Sequence, residues 1–140
     1  MHCDRFIYQN PVPTIDALLE DESGKILLGQ RRNEPFRGKL NLPGGFVDLG
    51  ETLEQAVARE VREELGMEPS EYGKLTFANS RVEHHTGRQT IAIVMKGTLK
   101  HRDFKPDEEA IAYFWKLPSE LKSEDVTTEG EYQAIMQAMA

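Results

Sequence analysis

Glu60 and Glu64 stand one helical turn apart, with Glu63 beside them and Glu51 a few residues upstream. If Glu60, Glu63 and Glu64 lie on one helix, their three carboxylates can converge on a single point. A hard divalent cation such as Mg²⁺ prefers oxygen ligands, keeps several waters and commonly bridges protein to a substrate phosphate. The residue types therefore point to metal-assisted chemistry on a phosphate.

The element that must carry them is legible. Thr52 followed by Gln55 is a capping-box pattern, and Gly66 supplies a left-handed stop, so the segment between Thr52 and Gly66 reads as one helix. On a wheel of roughly 100° per residue, Leu53, Ala56, Val57, Val61 and Leu65 trace an apolar stripe, and Glu60 and Glu64 fall inside it. Like charges on a core-facing stripe are unfavourable unless something neutralises them. An ordinary solvated acidic face would carry the same glutamates if the stripe were displaced sideways. The residues upstream favour the metal site.

Those residues are Leu42, Pro43, Gly44 and Gly45, followed by Glu51 and then by the run Arg59, Glu60, Val61, Arg62, Glu63, Glu64, Leu65, Gly66, Met67. Residues 45–67 resemble the Nudix box, G-x5-E-x7-R-E-U-x-E-E-x-G-U with U apolar, at each of its nine defined positions. The resemblance implies hydrolysis of a nucleoside diphosphate linked to another moiety, with Mg²⁺ or Mn²⁺ as cofactor. By position, Glu60 and Glu64 resemble its metal ligands, and Glu63 a further ligand or proton acceptor. Arg59 resembles the residue that orients the carboxylates, and Glu51 an outer ligand acting through water. A backbone carbonyl of Gly44 or Gly45 is a further implied ligand, glycine allowing the close approach this needs. The family commonly has a Trp two positions before its Pro-Gly-Gly stretch; here the segment reads Leu40, Asn41, Leu42.

The rest of the chain bounds the setting. Its 140 residues suit one domain with one core, and 39% hydrophobic content suits a soluble globular protein. No apolar run approaches a membrane span, and the amino terminus lacks a basic-then-apolar leader, so a cytoplasmic location is expected. The single cysteine, Cys3, excludes an internal disulfide framework. A net charge of −7 argues against broad nucleic-acid binding and disfavours RNA decapping. The expected partner is a small nucleotide, with a homodimer left open. Residues 3–11 resemble the tail of a zinc ribbon that precedes the Nudix domain in some relatives, but one cysteine cannot complete a zinc site. The expected organisation is an N-terminal segment, residues 1–11, and a Nudix-type domain, residues 12–140.

Around the box, residues 14–20 and 25–31 read as two strands joined by a polar turn, and residues 72–79 and 89–97 as two more. The basic loop at residues 31–39 offers Arg31, Arg32, Arg37 and Lys39 to a substrate phosphate or ribose, or simply to solvent. Residues 80–88 read as a polar loop in which His84 and His85 are solvated and Glu83 or Arg88 could touch substrate. In that region the family's subclasses carry marker residues, and none of those patterns is present, so the substrate is not readable from it. Among candidate substrates, ADP-ribose or a related nucleotide sugar ranks ahead of a nucleoside triphosphate and of a non-hydrolytic sensor's ligand. By resemblance, Glu108 or Glu109 is an acidic loop residue that reaches the metal or acts as base; a solvated acidic turn is the competing reading. Thr128 with Glu131 forms a second capping-box pattern, opening a terminal helix with Tyr132, Ile135, Met136 and Met139 on one face. The fold class that follows is an α/β/α sandwich, a mixed sheet between the box helix and the terminal helix.

Overall fold

The computed structural model describes residues 9–85, 87–101 and 110–140. The chain runs β1 (Val12–Glu20), β2 (Ile26–Arg31), β3 (Leu40–Asn41), β4 (Gly44–Phe46), α1 (Leu53–Leu65), α2 (Pro69–Tyr72), β5 (Thr76–His85), β6 (Arg88–Thr98), β7 (Ala110–Lys116) and α3 (Glu129–Ala138). Its strands form one mixed sheet. β1 runs parallel to β6 along its whole length, and β5 pairs antiparallel on the outer side of β6. On the other edge of β1, β4 pairs at Thr14, Ile15 and Asp16, while β2 joins only near the turn, at Glu20, and continues onto β3 and β7. The two expected opening strands thus form a short hairpin that splays apart, because β4 takes the place beside β1.

Alternation along β1 and β2 builds two cores. Ile15, Ala17, Leu19 and Leu27 face α1, whereas Leu18, Ile26 and Leu28 face α3. The expected α/β/α sandwich is the observed architecture. On α1 the stripe Ala56, Val57, Val61 and Leu65 is buried against the first core. Burying Val57, Val61 and Leu65 at roughly 2 kcal/mol each outweighs the cost of keeping partly solvated carboxylates on the same side of the helix.

Both ends of α1 are closed by the residues that signal them. The Gln55 N–H donates to Thr52 Oγ1 at 3.1 Å and the Thr52 N–H donates to Gln55 Oε1 at 2.9 Å. Gly66 adopts φ 68°, ψ 23°, and its N–H donates to the Arg62 carbonyl. No helix among the described residues is long and apolar enough to cross a membrane.

Two local expectations are corrected. Tyr72 closes the short helix α2, begun by Pro69 and ended by Gly73, so the following strand starts at Thr76. Residues 80–85 belong to β5 and are not loop. Arg81 and Glu83 point to one face while Val82, 52% exposed, points to the other. The strand is polar because one side is solvated and the other faces a cleft, so composition alone mistook it for a loop.

Candidate active site

Four elements converge at the C-terminal half of α1. β4 lies against β1 so closely that a Cβ on Gly44 would strike the Ile15 carbonyl and Asp16. A Cβ on Gly45 would run into the Glu60 carboxylate. Neither glycine has a positive φ. What each position requires is space, for a strand backbone at Gly44 and for a carboxylate at Gly45.

The point on which the box carboxylates converge is occupied by the Arg59 guanidinium. Its Nε donates to Glu51 Oε2 at 2.7 Å, Nη1 to Glu60 Oε1 at 2.9 Å and to Glu63 Oε2 at 3.3 Å, and Nη2 to Glu51 Oε1 at 3.0 Å and to the Phe46 carbonyl at 2.9 Å. The fork of Arg thereby ties α1 to β4 and to the loop that enters the helix. Glu51 also accepts from the Asp48 N–H at 2.8 Å. The Arg59 hydrogen bond holds the Glu51 carboxyl below the usual range, and the same bond holds the guanidinium charged. Glu60 is largely covered, with 13% of its side chain exposed, whereas Glu63 is 58% exposed. Among the described residues no three acidic, His or Cys side chains are already gathered around one point as a metal centre. Glu51, Glu60 and Glu63 are gathered around Arg59 instead.

Beside this cluster lies a cleft of about 830 Å³ on the α3 face of the sheet. Its floor is Thr14, Asp16, Thr90 and Ala92, which the sheet register places on one face and which α3, beginning only at Glu129, leaves uncovered. Gly44, Gly45 and Phe46 form its border with the box, and the Arg88 guanidinium lies 5.6 Å from the centre of the Phe46 ring. A much smaller pocket adjoins it, where Glu64 meets Arg31, Asn41 and Pro43; Arg31 and Asn41 line both spaces.

The sequence-derived candidates therefore divide. Gly44, Gly45, Glu51, Glu60, Glu63 and Arg59 are brought together, and Glu64 faces the adjoining pocket. Arg31 lines the cleft, although its Nε donates to the Pro35 carbonyl at 2.7 Å. Glu83 and Arg88 line it too. Arg32 is exposed and borders neither space. Arg37 and Lys39 line a separate cleft of about 440 Å³ beside Phe114 and Lys116. Glu108, Glu109 and residues 1–8, with Cys3, lie outside the described residues.

A second polar cluster, absent from the sequence reading, forms the wall of the cleft. Arg81 donates from Nε to Glu83 Oε2 at 2.8 Å and from Nη2 to Asp16 Oδ2 at 3.2 Å, and Glu131 Oε1 lies 3.9 Å from Nη2. Burial pushes the Asp16 carboxyl up to about 7, aided by repulsion from Glu131, and burial likewise raises Glu131. Glu131 does not complete the expected capping box. Thr128 Oγ1 accepts from the Glu131 N–H, but the Glu131 carboxylate turns inward to the Leu42 N–H at 2.7 Å and the Thr127 hydroxyl at 2.5 Å. A buried backbone N–H needs an acceptor more than a helix start needs a second cap. The one sequence signal of this cluster is an acidic residue, Asp16, set among the apolar Ile15, Ala17, Leu18 and Leu19 of β1.

The family model described as the NUDIX domain matches residues 10–137. The chain belongs to the Nudix family. This Nudix domain is 49% identical over 63 residues to an ADP-ribose pyrophosphatase of Methanocaldococcus jannaschii, a stretch covering 45% of the chain and 37% of that protein. It is 35% identical over 102 residues to the low-salt glycan biosynthesis protein Agl8 of Haloferax volcanii, covering 69% of the chain and 65% of that protein. The matched stretches thus span less than two thirds of each relative's length. Among solved structures, a MutT Nudix hydrolase from Burkholderia pseudomallei superposes with a TM-score of 0.79 at 27% identity, covering 91% of this chain and 98% of the other.

Proposed function

We propose that this Nudix domain is a metal-dependent pyrophosphatase that cleaves the diphosphate bond of a nucleoside diphosphate linked to another moiety, with ADP-ribose or a related nucleotide sugar as substrate. The observation that carries the reading is the Arg59-centred carboxylate cluster packed on Gly45 at the border of a nucleotide-sized cleft. The 49% identity to an ADP-ribose pyrophosphatase supports the choice of substrate.

The donor set fits a hard divalent cation. Glu60 and Glu64 would hold Mg²⁺ or Mn²⁺, with Glu51, Glu63 and a carbonyl of Gly44 or Gly45 as further oxygen ligands, and the missing Cβ at Gly45 is what lets the Glu60 carboxylate lie against the β4 backbone. When bound, the metal supplies neutralisation of phosphate charge and a bound water of lowered pKa. Arg59 is a positioning residue, holding Glu51, Glu60 and Glu63 in one orientation. Water attacks one phosphorus, the bridging P–O bond breaks, and the two products are a nucleoside monophosphate and a phosphorylated sugar. Glu63, more exposed than Glu60 among the α1 carboxylates on Arg59, or Glu108 or Glu109 would accept the proton of the water.

The test is release of nucleoside monophosphate from ADP-ribose, nucleotide sugars, NADH, dinucleoside polyphosphates and nucleoside triphosphates, with Mg²⁺ or Mn²⁺ and with chelator. Metal-dependent release from ADP-ribose is expected. Pyrophosphate release from triphosphates alone would move the assignment to a triphosphate hydrolase. Binding of nucleotides without any turnover would make the domain a sensor.

A further inference from the structure

The cleft has two chemically different sides. Sheet order places β2 and β3, with Arg31 and Asn41, on one side of β1, and β6 and β5 on the other. Arg31 and Asn41 also line the pocket that contains Glu64, so the reacting end of the site lies on that side. On the β5 side the Arg81 guanidinium faces three carboxyls, those of Asp16, Glu83 and Glu131, whose side chains are 15%, 14% and 6% exposed, while the Arg88 guanidinium of β6 lies over Phe46 at the border of the cleft. That wall sets three carboxyls against one guanidinium in a desolvated place. A phosphate there would meet mostly acceptors and incur the cost of like charges brought out of water.

The cluster is also held open by its surroundings. Thr128 donates to Glu83 at 2.5 Å while capping α3, and Gly130 in the first turn of that helix leaves the space that the Glu83 carboxylate approaches. Glycine inside a helix costs about 1 kcal/mol against alanine, so its place here serves the network rather than the helix. Arg81 Nη1 is buried and makes no hydrogen bond to the described residues. The wall therefore holds a buried guanidinium nitrogen without an acceptor among the described residues, beside the Asp16 and Glu83 carboxyls that line the cleft.

Resting on the reading that this cleft takes the substrate, we propose that the Asp16–Arg81–Glu83–Glu131 wall is a specificity subsite for the uncharged, hydrogen-bond-donating end of that substrate. It orients the molecule so that the diphosphate lies toward Arg31 and Glu64. Two groups of an ADP-ribose-like molecule have that chemistry, the amino-bearing edge of a base and the vicinal hydroxyls of the terminal sugar. Each donates to carboxylates and accepts from a guanidinium.

Asp16→Asn and Glu83→Gln keep shape and remove one carboxyl each. For ADP-ribose, KM is expected to rise about tenfold to a hundredfold while kcat stays within about threefold, the signature of lost binding rather than lost chemistry. Calorimetry with AMP and with ribose 5-phosphate then separates the sources. Loss of AMP affinity assigns the subsite to the base, and loss of ribose 5-phosphate affinity assigns it to the sugar. Unchanged KM in both variants, or a fall in kcat at constant KM, or wild-type affinity for both fragments, overturns the proposal. The two readings fail separately. A wild-type protein without turnover whose fragment binding is weakened in the variants sinks the enzyme and keeps the subsite, and an active enzyme indifferent to both substitutions does the reverse.

Discussion

Asp16 should make this domain less stable as pH rises through neutrality, and Asp16→Asn should reduce the effect. Burial moves the carboxyl from its ordinary 3.8 up to about 7. The sign follows from linkage: the unfolded chain releases this proton near its ordinary value of 3.8, whereas the folded chain holds it until about 7. Stability associated with this group is therefore fully present below about pH 4 and is lost as pH climbs toward 7 and beyond. A displacement of roughly three pH units, at about 1.36 kcal/mol each, amounts to roughly 4 kcal/mol as an upper bound. Glu131 is raised by burial as well and shares the same network, so the two carboxyls act together. The carboxyls that are lowered, Glu51 and Glu68, pull in the opposite sense, but only at pH below about 4.5, where an unfolded Glu titrates. The assay is urea unfolding at intervals from about pH 5 to about pH 8.5, for the wild type and for Asp16→Asn. The wild type should lose stability across that window and the variant should lose less, keeping the share that belongs to Glu131 and ending more stable than the wild type at the alkaline end. A flat or rising wild-type profile, or a variant less stable at the alkaline end, would refute the reasoning. Together with the KM effect expected above, the behaviour of Asp16→Asn would then show a buried charge retained for binding at the expense of stability.

Three further outcomes follow from the geometry. Glu64→Gln should reduce metal-dependent turnover by at least about a hundredfold with an unchanged circular dichroism spectrum; near-normal activity would remove Glu64 from the metal set. Gly45→Ala should displace the Glu60 carboxylate and cost about a hundredfold in activity, since a misplacement of about 1 Å suffices; steady-state kinetics beside a thermal melt separates that from unfolding. Thr52→Ala removes the acceptor of the Gln55 N–H and should cost about 1 kcal/mol, read as a fall in Tm of roughly 2–8 °C.

How much was legible differs between the two clusters. The box cluster is local: Glu60, Glu63 and Glu64 share one helix with Arg59, so spacing placed those three within reach of one another, and the resemblance added Glu51 just before the cap. What spacing left out was that the Arg59 guanidinium itself reaches the carboxylates of Glu51, Glu60 and Glu63. The wall of the cleft is not local. Asp16, Arg81, Glu83 and Glu131 come from three distant elements, β1, β5 and α3, and meet only through sheet register and helix docking. Read singly, Glu83 looked like a loop residue and Glu131 like a cap. Arg31, Arg32, Arg37 and Lys39 looked equivalent in sequence, and the fold sent Arg31 to the cleft and Arg37 and Lys39 to a different one.

By itself the sequence determined the box helix, both of its caps, its apolar stripe and the sandwich that such a stripe demands. Those features depend on residues within a few turns of one another and on hydrophobic periodicity. Only the tertiary structure decided which polar residues become buried partners, because a carboxylate's role depends on what lies across from it in space. Glu131 could cap its own helix or satisfy the Leu42 N–H, and the docking of α3 beside the connection between β3 and β4 chose the second.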